Sequence, residues 1–348
     1  MARTDGILRP ETDKSKPIDP AGVSDSGSPP TSASGRSAPP SGGGKLTWWA
    51  RARRDKVLLL MALPGLGLML AFHYLPLLGN LIAFQEYLPF VPLGRSAWVG
   101  LDNFAVIFNG DAEFLNALKN TLLITLVQVI IVFPAPIALA LLLNSLLSER
   151  IKRIVQSVLY LPHFLSWVIV IAIFQQVLGG SGMINNFLRS QGWSTIDFLG
   201  NPDTFIALLS SQVIWKDTGW GTILFLAALT RIDPGLYEAA RVDGASRLRQ
   251  LWHVTVPGIR ALIVLLLILR LGDSLTVGFE QIILQQSLVG RPASEVLDTY
   301  VYNNGVLAGQ WGVSAAVGLV KGLVGVALVI GANKIAHIFG EAGVYRKS

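Results

Sequence analysis

The sequence predicts an all-α integral membrane protein of six spans, and three observations carry that prediction. The chain is 51% hydrophobic and 14% charged, with a mean hydropathy of +0.52, too apolar and too charge-poor for a soluble domain. Its apolar residues gather into six runs of about 20 residues or more, the length a helix needs to cross roughly 30 Å of hydrocarbon. No run alternates with period two, and lipid accepts only backbone whose polar groups are satisfied internally, so helices follow rather than barrel strands.

In order, the runs cover about 57–78, 122–143, 155–178, 205–229, 259–284 and 313–332. Lys and Arg near the span ends set orientation. Arg51, Arg53, Arg54 and Lys56 precede the first run; Arg150, Lys152 and Arg153 lie between the second and third. Arg231, Arg241, Arg247, Arg249 and Arg260 lie between the fourth and fifth, and Lys334, Arg346 and Lys347 follow the sixth. The opposite loops carry little beyond Arg95, Arg189 and Arg291. Both termini are therefore expected in the cytoplasm, and the net charge of +6 reflects this bias rather than a nucleic-acid partner.

Residues 1–44 are rich in Pro, Ser and Gly and have too little apolar surface to offset their ordering entropy, so a disordered cytoplasmic tail is expected there. Residues 45–348 form the membrane domain. The first apolar run is too long and too far from Met1 for a signal peptide. Without cysteine, and with only four scattered histidines, the chain has no disulfide and no metal-ligand spacing. In the first outer loop, "AWVGLDNFAVIF" places Trp98, Leu101, Phe104, Val106, Ile107 and Phe108 around a capping Asp102. Its pattern fits a segment lying on the membrane surface and a packed loop equally.

The loop 231–258 is polar and holds "YEAARVDGASRLRQLWHVTVP", Tyr237 to Pro257. Asp233 and Pro234 make a helix start, since a capping carboxylate serves free amides and proline at the first helical position gives up nothing. Gly244 is placed to end that helix in a left-handed turn, with a second short helix from Ser246 to about Val254 and Pro257 opening the fifth span. Ala239, Ala240 and Gly244 allow close approach of another surface, and Glu238 and Arg241 offer charged hydrogen bonds. Such chemistry suits docking; an ordinary charged loop remains the plain alternative.

This stretch resembles the motif of membrane subunits of binding-protein-dependent ABC importers: Glu-Ala-Ala, three residues, Gly, nine residues, then Ile-x-Leu-Pro. Glu238, Ala239, Ala240, Gly244 and Pro257 match at the same spacing, while Val254 and Val256 replace Ile and Leu. "YLPHFLSWVIV", "WVGLDNF", "TYVYNNG" and "ANKIAHIFGEAGVY" look like the carbohydrate-uptake branch, and within it the group linked to oligosaccharides and polysaccharide fragments. The resemblance implies the type I ABC importer permease fold in a bacterial-type cell membrane. It also implies a second permease subunit, usually a different chain, and two ATPase subunits that bind ATP and Mg. An extracytoplasmic sugar-binding lipoprotein completes the set. In that family Tyr237, Glu238, Ala239, Ala240, Arg241, Asp243, Gly244 and Pro257 would couple the permease to the ATPase. This chain has no Gly-x-x-x-x-Gly-Lys-Ser/Thr loop, so it is expected to be a transporter subunit without its own ATPase site.

Charged residues inside the spans are the second informative feature. Lys216 and Asp217 lie about eleven residues from the outer end of the fourth run, and Arg270 lies about eleven residues from the inner end of the fifth with Asp273 one turn later, which at about 1.5 Å per residue places them near the same depth. Each costs several kcal/mol there unless paired or wet. On one continuous helix Arg270, Asp273 and Glu280 would fall within about 80° of one another. With Trp215, Trp220 and Phe279 as stacking faces, these groups read as a translocation path for a sugar. A neutral network of Lys216 and Arg270 with Asp217 and Asp273, holding two spans together, is the competing reading. Lys321 lies beside the Gly318 and Gly322 pair near mid-depth of the sixth run. His163 reads as a packing or capping residue, and Trp311 as an interface anchor. An ion-coupled secondary transporter would explain intramembrane charge, yet no internal repeat is evident and the polar loop would lack a purpose. No catalytic constellation is visible.

Overall fold

The computed structural model describes residues 55–146, 148–338 and 340; the tail expected over 1–44 lies outside them. The chain divides into two units between Pro64 and Gly65, and only residues 55–64 of the first are described. The described part of the first begins the helix Lys56–Met69, whose Val57, Leu58, Leu60 and Met61 are exposed. That helix continues through a π turn, Leu70–Tyr74, into a 3₁₀ stretch, Leu75–Phe84.

Among the described residues, five helical stretches are long and apolar enough to cross a membrane: Lys56–Phe84, Ala112–Asn144, Trp167–Ser190, Arg247–Gly272 and Trp311–Ile338. The run expected as a fourth span is one helix, Phe205–Leu229, but it is not among the five because Gln212, Lys216, Asp217 and its Ser and Gly residues dilute its apolar character. The run 155–178 is not one continuous helix. An amphipathic helix, Glu149–Tyr160, gives way to a 3₁₀ turn at Leu161–Phe164 containing Pro162, and Ser166 caps a new helix, Trp167–Leu178. Proline removes an amide and clashes with the preceding turn, which is why the helix breaks there.

The run 259–284 also divides. Its helix starts as early as Arg247, passes a π turn at Leu251–Thr255 and stops at Gly272. A turn follows, with the Thr276 amide donating to Asp273 O at 2.9 Å. Gly278 then takes φ +91 before the short helix Phe279–Ile283, a backbone state that breaks helical periodicity. Short helices Gln286–Val289, Arg291–Ser294 and Leu297–Val301 fill the segment leading to the last long helix.

In lipid, apolar burial between helices brings little, so close packing and polar contacts hold them together. The helices Pro134–Asn144 and Phe205–Leu229 meet most intimately. Ala140, Phe225, Leu229 and Ile259 are buried between them and the Val256–Gly272 helix, and Thr222 Oγ1 donates to Pro136 O at 3.2 Å. Gly219 lies against the backbone of Leu159, where any Cβ would overlap the Leu159 carbonyl. A second contact is a buried amide trio. Gln281 Nε2 donates to Gln212 Oε1 at 2.7 Å and Gln212 Nε2 to Gln285 Oε1 at 2.9 Å, beside an apolar cluster of Ile124, Phe205, Leu209 and Ile282.

Beyond the spans, Glu295 is 2% exposed and receives Asn303 Nδ2 at 2.9 Å. Arg291 lies 3.5 Å from it and bridges to Glu113 at 3.4 Å. Burial, only partly offset by Asn303 and Arg291, pushes the Glu295 carboxyl above the usual carboxylate range.

Two outcomes are expected. Gly219→Val overpacks the helix crossing by about 1–3 kcal/mol, so the purified complex should melt several degrees lower; an unchanged melting curve would contradict the tight crossing. Because the folded-state pKa of Glu295 is raised, its contribution to stability is full below the ordinary Glu pKa of about 4.3 and is lost as pH rises through the folded value. Glu295→Gln should flatten that pH dependence and melt at least as high as the parent at neutral pH, as thermal unfolding of the purified complex would register.

Candidate functional site

The polar loop between the Phe205–Leu229 helix and the next long helix is built from local rules. Asp233 caps the helix Pro234–Val242, accepting the Gly235 amide at 2.9 Å, with Pro234 at the first helical position. At the other end Gly244 adopts φ +72. The Gly244 amide donates to Arg241 O at 3.0 Å and the Ala245 amide to Ala240 O at 2.8 Å. These are the paired closing bonds of a left-handed helix cap, and glycine is the residue that takes the conformation without strain. Ser246 caps the restart at Arg247, accepting the Arg249 amide at 3.4 Å. The second helix does not end at Val254: it runs through the π turn Leu251–Thr255 into the Val256–Gly272 helix, with Pro257 in the first turn of that helix.

Tyr237 ties the two helices together, its hydroxyl 3.0 Å from Thr255 Oγ1. Gln250 Nε2 adds a bond to Ala245 O at 2.9 Å. Glu238, Ala239, Arg241, Asp243, Gly244 and Pro257 are exposed, while Tyr237 and Ala240 are half-buried. Leu236, Val242, Leu248 and Trp252 are exposed apolar neighbours, Val242 to 88%. A polar cavity of about 730 Å³ lies behind the knob, lined by Tyr237, Arg241, Arg247 and Gln250 with Asn144 and Ser145.

The charges inside the helices take partners that the sequence did not indicate. Lys216 is 8% exposed, and its Nζ donates to the carbonyls of His163 at 2.6 Å and Leu165 at 2.8 Å. It serves the backbone acceptors freed where the helix breaks at Pro162, and lies 5.6 Å from the Trp167 ring. Asp217 lies 2.9 Å from His163 Nδ1, and the His163 ring stacks flat on Trp220, centroids 4.6 Å apart at 4°. Trp215 instead meets Phe174 edge-on at 5.9 Å. Arg270 pairs with the buried amide of Gln128. Lys216, Arg270, Asp217 and Asp273 therefore do not close into one network: Lys216 and Asp217 take partners at the Leu161–Phe164 break of a neighbouring helix, and Arg270 takes Gln128.

Asp273 sits just past the helix end at Gly272 and lines a cavity of about 930 Å³ with Asp298, Thr276, Gly318, Gly322 and Lys321. Lys321 and Asp298 form an ion pair in its wall. Glu280 belongs to the separate helix Phe279–Ile283, so it does not share a helical face with Arg270. Phe279 meets Tyr302 at 5.4 Å. Sequence reasoning missed Gln128, Asp298 and the Gln212–Gln281–Gln285 trio; their one signal was a polar residue inside or beside an apolar run.

The chain can be compared with known proteins on this geometry. Residues 115–341 match the family described as binding-protein-dependent transport system inner membrane component. Protein LplB of Bacillus subtilis (strain 168) is 45% identical over 312 residues, covering 89% of this chain and 98% of LplB. The polygalacturonan/rhamnogalacturonan transport system permease protein YteP of the same organism is 47% identical over 293 residues, covering 84% and 91%. A chain in the crystal structure of a bacterial alginate ABC transporter, in complex with an alginate pentasaccharide-bound periplasmic protein, superposes with a TM-score of 0.78 at 35% identity, covering 85% of this chain and 99% of that one. The match over most of its membrane-embedded length places this chain in the family of binding-protein-dependent transport system inner membrane components.

Proposed function

We propose that the chain is a permease subunit of an ATP-driven importer and forms part of the translocation pathway for an oligosaccharide. The knob at 233–257 carries this reading: a rigid, exposed helix–turn–helix whose Glu238, Ala239, Ala240, Gly244 and Pro257 match the family motif. The oligosaccharide assignment is supported by relatives whose names specify polygalacturonan/rhamnogalacturonan and alginate. In this reading six helices cross the membrane, with Phe205–Leu229 among them, and both termini and the knob face the cytoplasm. ATP and Mg bind two partner ATPase subunits, a second permease completes the path, and an extracytoplasmic lipoprotein delivers the sugar.

Closure of the ATPase pair would press on the knob, with Glu238 and Arg241 meeting charges on the ATPase and Ala239, Ala240 and Gly244 seating the helix. Asp273 in its cavity, Trp220 and Asp217 beside His163, and Phe279, Glu280, Arg270, Lys216 and Trp215 around them are the groups proposed to border the path. Among these, Lys216 acts chiefly by holding the Leu161–Phe164 break in place through His163 O and Leu165 O, and Arg270 by bonding Gln128 on a facing helix.

Glu238→Lys should abolish uptake while the protein still reaches the membrane; normal substrate-stimulated ATPase activity in the reconstituted variant complex would sink the coupling assignment. Proton-driven uptake by this chain alone would point instead to ion-coupled transport. If Trp220 borders the sugar, Trp220→Ala should lower uptake about tenfold, the equivalent of roughly 1.4 kcal/mol of aromatic contact. Lys216→Met, by contrast, should reduce the melting temperature of the complex, since it strands two carbonyls. Full uptake by the Trp220 variant would remove that residue from the path.

A further inference from the structure

Gln85–Glu86 and Ala97–Trp98 pair as a two-stranded antiparallel hairpin with Gln85 opposite Trp98. The hairpin begins directly after Phe84, where the first candidate span ends. Its base is clamped there. The Val99 amide donates to Phe84 O at 3.0 Å, and Asn103 Nδ2 donates to the carbonyls of Ala83 and Gln85, both at 3.0 Å. Phe104 packs 5.2 Å from Phe84 and is buried with Ala83 and with Ala316 of the last long helix. The next candidate span opens at Ala112, shortly after Phe108. Trp98 and Phe108 are thus held by pairing or by chain length close to the level at which these spans end.

The clamp buries one side only. Phe90 is 99% exposed, Phe108 79%, Leu101 69% and Trp98 65%. Between Gln85 and Gly110 the charged residues are Glu86, Arg95 and Asp102 alone. The exposed side chains continue the exposed apolar surface of Leu75, Leu77, Leu78 and Leu81 on the stretch that leads into the hairpin. Aromatic rings favour the depth at which hydrocarbon gives way to headgroups, and a large apolar patch rimmed by few charges marks a contact surface.

We propose that the 85–98 hairpin and the 101–108 segment form a collar in the membrane interface, with Phe90, Trp98, Leu101 and Phe108 seated in the headgroup and upper acyl region of the leaflet at which these spans end. The collar sets the depth of the first span and the last long helix, because Phe84 and Ala316 are packed on its buried side. Lipid is the occupant because the surface is continuous with that of a span and lies at the spans' ends.

The chain has no cysteine, so Phe90→Cys, Trp98→Cys and Phe108→Cys each give one labelling site for an environment-sensitive fluorophore in the assembled transporter, with cysteine-free partner subunits, in lipid nanodiscs. The expected result is a blue-shifted emission that is lost when phospholipids bearing a headgroup-proximal nitroxide are incorporated and that resists a water-soluble quencher. Emission lost to the aqueous quencher and untouched by nitroxide lipid would overturn the collar. So would shielding that appears only when the second permease or the periplasmic binding protein is present, which would make the patch a protein socket. Phe90 is covered by almost nothing else in the chain, so its variant keeps the test decisive even if Trp98→Cys fails to assemble.

Discussion

The rest of the structure depends on one constraint: in a membrane, every carbonyl released by a broken helix must find a donor. The break at Leu161–Phe164 is held by Lys216, which reaches the carbonyls of His163 and Leu165. The break after Gly272 is held by Thr125, whose hydroxyl donates to Ser274 O. Asn120 serves Pro292 O at 3.1 Å and Glu295 O at 2.9 Å in the segment of short helices. In each case a polar side chain on one helix fixes a bend in another, so the irregular backbone is also what registers the helices against one another.

This explains why so many polar residues tolerate their depth. An ammonium group on two carbonyls and a trio of mutually bonded glutamines satisfy themselves without a counter-charge, and a guanidinium takes Gln128. Ionic groups left to line open space, such as Asp273 beside the Asp298–Lys321 pair, stand out against that background. The contrast separates residues that hold helices from residues free to meet water or solute, a distinction that charge inventory alone does not draw.

What the sequence revealed follows the same division. The knob was legible almost residue by residue, because Asp233, Pro234, Gly244 and Ser246 act through local backbone geometry that a short stretch determines. Its restart as a long helix was not, since a π turn carries no compositional mark and Pro257 reads as a boundary. The break near His163 was foreshadowed by Pro162, yet the run 155–178 is apolar enough to read through it. The stop at Gly272 depended on Gly278 and on a side chain from Thr125, more than 140 residues away in the chain. Helical-wheel reasoning over Arg270, Asp273 and Glu280 failed for that reason: periodicity assumes a continuous helix, and tertiary contacts decide where continuity ends.

The hydroxyl contact between Tyr237 and Thr255 has a mechanical meaning. It braces the Pro234–Val242 helix against the long helix at its π turn, where the hydrogen-bond ladder changes from i→i−4 to i→i−5. The two arms, the Gly244 corner and the brace make a closed triangle, and a triangle cannot change its angles without breaking a side. A load on the knob would therefore enter the long helix at Thr255, beside Pro257.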